Sequence, residues 1–127
     1  MKRENSTKLI AKNCVVEKVL KEENDKNILK SYRSLIIGLG AMIIQNGLYG
    51  TLVFLRAKGK RHHEFVFEDI RIFLEKKKYI KSKDVLEFLE QTDNLSLIQE
   101  RVLEFVNWYR RYAEIFIKTS NEDDENN

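Results

Sequence analysis

Residues 35–55 read LIIGLGAMIIQNGLYGTLVFL, twenty-one positions without a charge, bounded by Arg33 and Arg56. A stretch of this length is long enough to cross a bilayer as one helix. Gln45, Asn46 and Gly47 fall near its middle, however, and two amides beside a helix-breaking glycine would need polar partners in hydrocarbon. The segment therefore reads as two apolar helices meeting at a turn. Asn46 can cap a helix and Gly47 can take a positive φ, so the pair can end one helix and begin the next. This hairpin sets the fold class, because the sequence on either side of it repeats the same grammar of helical stripes and short polar breaks.

Upstream, residues 1–6 are polar and read as a frayed lead-in. Thr7 to about Glu22 carries Leu9, Ile10, Cys14, Val15, Val16, Val19 and Leu20 at helical spacing. Asn24 and Asp25 end that helix and can cap the next, from about Lys26 to Gln45, with Ile28, Tyr32, Leu35, Leu39 and Met42 on one face. Its second half is apolar all round, and Gly38 and Gly40 suggest close approach by a neighbour. The third helix runs to about Lys58, with Leu48, Leu52 and Leu55 on one side and Val53 and Phe54 on others; Gly59 is placed to cap its end.

Downstream, a fourth helix is expected from His63 to Lys78, with Val66, Ile70, Phe73 and Leu74 inward. Ser82 can open a fifth, Lys83 to Gln91. Ser96 with Gln99 forms a capping-box pattern before a sixth, which runs to about Lys118. In that last helix Ile98, Val102, Phe105, Tyr109, Tyr112 and Phe116 form one stripe, widened by Trp108 and Ile115 on one side and by Val106, Ala113 and Ile117 on the other. The expectation is an all-α chain, a single compact bundle of about six helices joined by short turns over residues 1–118. Residues 119–127 read as an acidic disordered tail.

Composition agrees. The chain of 127 residues has no proline and only five glycines, all between Gly38 and Gly59, which excludes a turn-rich β-sandwich. The single cysteine, Cys14, excludes an internal disulfide and fits a reducing, cytoplasmic setting; among valines it reads as a small buried hydrophobe. The N-terminus shows no secretory signal pattern. The formal charge of +3 conceals an asymmetry: four of the 20 acids lie in the last six residues, leaving 23 basic against 16 acidic side chains, a body of +7. A basic body suits a polyanion.

No catalytic constellation is present. His62-His63-Glu64 is the nearest approach to a metal site, but adjacent helical side chains diverge by about 100°, and neither paired cysteines nor H-E-x-x-H occurs. No glycine-rich phosphate loop occurs either. No enzyme, cofactor, metal or small-molecule substrate is expected. The basic clusters carry more information. Arg56, Lys58, Lys60, Arg61, His62 and His63 crowd the end of the third helix and the turn after it, where cations also complement a helix C-terminus. Lys30 and Arg33 lie on the polar side of the second helix, and Arg110 and Arg111 flank the polar face of the last one beside Trp108. If nucleic acid is bound, contact to its backbone is expected over base reading, because no base-reading motif occurs. The apolar surplus at 35–55 has two readings, a hairpin at the bundle centre or a contact surface for other subunits.

Tyr32, Ser34, Leu35, Met42-Ile43, Gln45-Asn46-Gly47-Leu48, Thr51-Leu52, Phe54-Leu55 and Ala57-Lys58, followed by Asn107-Trp108-Tyr109-Arg110-Arg111-Tyr112-Ala113, resemble the two signatures of the small subunit of type III-B CRISPR–Cas (Cmr) effector complexes. The blocks cover about 40 residues, in the family's order. The resemblance implies an all-helical, non-catalytic subunit in antiviral defence. Several copies would stack beside the backbone filament that holds the CRISPR RNA, with partners among the other Cmr subunits and further copies of itself, and no membrane. RNA cleavage would belong to the backbone subunits. Lys58, Arg110 and Arg111 match the signature and are the first RNA-contact candidates, for guide and target RNA through their phosphates. Arg56, Lys60, Arg61, Lys30 and Arg33 join them on proximity and charge. Ile37, Ile44, Asn46, Gly47, Val53 and Phe54 are the expected subunit contacts. The alternatives are the type III-A small subunit, which has a similar role, and a small helical interaction module without RNA binding.

Overall fold

The computed structural model describes residues 6–119, and among these there are five helices and no strands: α1 (Thr7–Lys21), α2 (Lys26–Lys58), α3 (Arg61–Lys76), α4 (Val85–Gln91) and α5 (Leu95–Phe116). Ser6, read from sequence as part of a frayed end, instead caps α1: its hydroxyl accepts from the N–H of Leu9 at 3.2 Å. The inward face of α1 is Ile10, Ala11, Cys14, Val15 and Lys18, whereas Leu20, expected in the stripe, is 67% exposed.

Asp25 caps α2 as its position suggested, accepting from Ile28 N–H at 3.0 Å. The helix count is five rather than about six because the two expected helices are one element broken at Gly47 (φ 78, ψ 161). That conformation is essentially restricted to glycine. The break turns the chain back on itself. His62 shares a surface depression with Lys30, Ser31, Ser34 and Leu35. A straight helix from Ser34 to Lys58 would carry the chain about 36 Å away at 1.5 Å per residue, too far for three further residues to span. Residues 26–46 and 48–58 are therefore two limbs of a hairpin, and Gly59 in the left-handed region (φ 64) closes the second.

The buried face of the first limb is Leu29, Tyr32, Ile36, Leu39 and Ile43, and that of the second is Leu48, Thr51, Leu52 and Leu55. The expected face was displaced: Ile28, Leu35 and Met42 are only half-buried. A Cβ placed at Gly40 would meet Val106 at ordinary contact distance and one at Gly38 would meet nothing, so neither position requires glycine for a close approach. Among the described residues α2 alone has the length and apolarity to cross a membrane. In this fold it packs most extensively against α3 and α5.

Asp84, rather than Ser82, caps α4, accepting from Glu87 N–H at 3.1 Å. The Ser96–Gln99 capping box does not form: Asn94 occupies the cap position and Gln99 is used elsewhere. α5 is central, lying against α1 and α2 and touching α3. Ile98, Val102, Phe105, Val106, Tyr109 and Ala113 are its buried residues. Of the tail expected at 119–127, all but Thr119 lies outside the described residues.

Candidate nucleic-acid interface

The interior that holds the surface in place contains charge. Lys18 of α1, Tyr32 of α2, Asp69 of α3 and Tyr109 of α5 meet in the core, each at most 4% exposed. Asp69 Oδ1 accepts from Lys18 Nζ at 2.7 Å; its Oδ2 accepts from the Tyr109 hydroxyl at 2.6 Å and from that of Tyr32. The Tyr109 hydroxyl also lies 3.2 Å from that of Tyr32. Burial pushes the Asp69 carboxyl up, while the Lys18 ammonium and the phenol donors pull it back toward ionisation. Burial alone would lower the Lys18 ammonium, but Asp69 beside it more than offsets this and holds it above the ordinary lysine value. The four helices are thus joined through one carboxylate. The sequence pattern does not disclose this cluster: Tyr32 and Tyr109 read as stripe residues, and Lys18 and Asp69 are not singled out. The available signal was Asp69, a lone acid on the inward side of FVFEDIRIFL.

Cys14, on the turn of α1 before Lys18, is buried, and burial pushes its thiol well above the ordinary range, as befits a small core residue.

The predicted RNA-contact residues separate into two patches. The first is the α2–α3 junction. Arg56 and Lys58 end α2, Lys60 is the N-cap residue of α3 and Arg61 its first residue; all four are exposed. The charged ends of three of them stand over aromatic rings: Arg56 over Phe67 at 4.3 Å, Lys58 over Phe54 at 5.7 Å and Arg61 over Phe65 at 5.6 Å from the ring centroids. Arg61 also pairs with Glu22, the C-cap residue of α1. The hairpin brings Lys30 to the same region through the depression it shares with His62. Arg33 is half-buried one turn further along α2. The His62 and His63 rings lie 4.2 Å apart, and burial lowers both imidazoles, so they stay neutral at physiological pH. Among the described residues no group of three or more His, Cys, Asp or Glu side chains is arranged to hold a metal ion.

The second patch lies where the start of α1 meets the middle of α5. Arg111 stands 5.5 Å and Lys8 5.8 Å from the Trp108 ring. Thr7, Glu104 and Asn107 complete a shallow depression with Trp108 and Arg111. Arg110 is exposed and paired with Glu114 at 2.9 Å. Of the eight predicted cations, Arg61 and Arg110 thus have intramolecular carboxylate partners, while Lys30, Lys58, Lys60 and Arg111 have none among the described residues.

The α2 hairpin also leaves apolar side chains at the surface. Ile44 is 71% exposed, Val53 and Phe54 are partly exposed, Asn46 is exposed, and Ile37 and Gly47 are half-buried. One face of the hairpin therefore builds the core, and the other remains at the surface.

Comparison with known proteins gives one family. The family described as "CRISPR-associated protein (Cas_Cmr5)" matches residues 9–116. Among curated proteins, the chain is 51% identical over 41 residues to "CRISPR system Cmr subunit Cmr5" of Thermotoga maritima, a match that covers 32% of this chain and 32% of that protein. The matched segment thus spans about a third of the relative's length. No solved structure matches the chain significantly. The family match runs from the first turn of α1 to the end of α5 and includes both the hairpin and the Trp108 patch, and on that extent the chain belongs to the Cmr5 family of CRISPR-associated proteins.

Proposed function

We propose that the chain is the small, non-catalytic subunit of a type III-B CRISPR effector complex, present in several copies and acting in the cytoplasm, away from any membrane. Its partners are the other Cmr subunits, further copies of itself, and the guide and target RNA. The observation that carries this reading is the family match across all the helices of the domain. The surface adds chemistry suited to the role: cations at the α2–α3 junction and beside Trp108 that have no carboxylate partner among the described residues and can reach phosphates.

In this reading Lys58, Lys60, Arg56 and Lys30 track RNA phosphates at the junction, with Arg61 and Arg33 beside them. Arg111 and Arg110 do the same on α5. Ile37, Ile44, Asn46, Gly47, Val53 and Phe54 form the contact with neighbouring subunits, since exposed apolar patches of this kind mark interaction surfaces. Strand cleavage belongs to other subunits.

Co-expression with the remaining complex subunits and a guide RNA, followed by native mass spectrometry, tests the reading. Particles containing this chain in more than one copy are expected. Particles that assemble without it would overturn the proposal.

A further inference from the structure

We infer that the outer face of α5 is a base-stacking strip for single-stranded RNA. Trp108, Tyr112 and Phe116 receive the bases, and Lys8 and Arg111 hold the adjacent phosphates. The inference rests on the RNA-contact reading above and adds to it a contact that phosphate binding does not supply.

Residues four apart on a helix lie on one line. The Trp108 and Tyr112 rings are 6.3 Å apart and inclined by 24°; those of Tyr112 and Phe116 are 6.2 Å apart and inclined by 20°. The aromatic rings inside the core behave differently. Phe73, Phe105 and Tyr109 stack at 4.7 and 4.8 Å and are closed off from solvent. The outer three are open: Trp108 is 37% and Phe116 38% exposed, and Tyr112 is half-buried. Three roughly parallel rings are therefore displayed in a row.

The charge beside them is positive. Lys8 and Arg111 both stand over the indole. The carboxylates that would repel a phosphate are engaged, Glu104 by Arg101 and Glu114 by Arg110, each at 2.9 Å. Aromatic rings interleaved with cations form the arrangement that holds single strands without reading sequence. A ring spacing near 6 Å is well beyond the ~3.4 Å between stacked bases in a duplex strand, so it favours a strand whose bases are splayed. Exposed Ile115, one turn beyond Arg111, gives the competing occupant, a protein surface, some footing; two cations on the indole at the end of the row favour RNA.

The chain has a single tryptophan, so its fluorescence reports Trp108 alone. The full chain is titrated at low salt with a short unstructured RNA oligonucleotide, and separately with inorganic polyphosphate, while anisotropy of labelled RNA follows binding. The expected result is quenching of Trp108 by RNA and not by polyphosphate. Tyr112→Leu and Phe116→Leu are expected to weaken RNA binding roughly tenfold for each lost stack, with the salt dependence unchanged. RNA binding without quenching, or equal quenching by polyphosphate, overturns the stacking strip and leaves phosphate contact standing. The absence of any anisotropy change overturns both. A shift in Trp108 emission that follows protein concentration without RNA assigns the strip to protein contact and overturns the inference.

Discussion

The side-chain oxygen of Gln99 accepts a hydrogen bond from the backbone N–H of Leu48 at 2.7 Å. Leu48 follows the break at Gly47, where the helical ladder is interrupted and an amide needs an outside partner. α5 therefore caps the second limb of the hairpin across 51 positions of sequence. Gln99→Ala strands that amide and is expected to cost about 1–3 kcal/mol. Gly47→Ala forces a side chain into a backbone region reserved for glycine and is expected to cost a similar ~1–3 kcal/mol. Chemical denaturation measures both. Because both act on the same turn, the double variant is expected to lose less than the sum of the two.

Asp69→Ala leaves the Lys18 ammonium and two phenols in the core without the carboxylate they share. Removing one partner of a buried ion pair typically costs about 3–5 kcal/mol, a large share of the stability of a small domain. Lys18→Met, which removes the cation but keeps the apolar stem, is expected to lose less than Asp69→Ala, because Asp69 retains both hydroxyl donors. Thermal unfolding of the two variants gives the order; the reverse order would contradict this account of the cluster.

The same core predicts sensitivity to alkali. Burial pushes the Cys14 thiol and the Tyr32 and Tyr109 hydroxyls up, with Asp69 adding to each, and Lys18 is held up by Asp69 against its burial. The folded chain thus keeps protons that the unfolded chain releases near pH 9.0 for cysteine, 10.0 for tyrosine and 10.5 for lysine. When the native state binds more protons, stability falls as pH rises. The contribution is complete below pH 9.0 and is lost progressively above it. A Tm series is expected to decline from that point, and Cys14→Ala is expected to remove the earliest part of the slope. A flat Tm to about pH 11 would refute the assignment.

At the α2–α3 junction, Lys58→Gln and Lys60→Gln are each expected to lower the slope of log affinity against log salt by about 0.7 for single-stranded RNA. Arg61→Gln is expected to cost stability as well, since it leaves Glu22, only 7% exposed, without its cation. Arg110→Glu combined with Arg111→Glu is expected to weaken target-RNA binding by the assembled complex while leaving the helical circular-dichroism spectrum intact. Unchanged RNA affinity would remove those two residues from the interface.

Helix type, the Asp25 and Gly59 caps and the reversal at Gly47 were all legible from residues, because each depends on neighbours within a few positions. The buried face of the first α2 limb was legible only in part. Tyr32 and Leu39 were placed correctly, yet Ile36 and Ile43 are buried in place of Leu35 and Met42. Where a helix is apolar on every side, periodicity does not select a face; the helices packed against it do. Gln99 shows the opposite failure, a local motif whose side chain is claimed by a distant partner. Lys18 and Asp69 were illegible for a related reason: a charge reads as solvated until its counter-charge, 51 residues away, is known to be near. The candidate cations were visible as a list, but which of them are held by carboxylates required coordinates.

The carboxylate of Asp69 also acts as a gauge. A slip of α5 by one turn would move its outer face by 5.4 Å, and it would drag the Tyr109 hydroxyl away from the carboxylate that accepts from it. Trp108 and Arg111 are chain neighbours of Tyr109, so their height on the surface is set from inside. Every folded copy of the chain therefore offers these exterior groups at one fixed height along α5, so the register of the surface is written in the core.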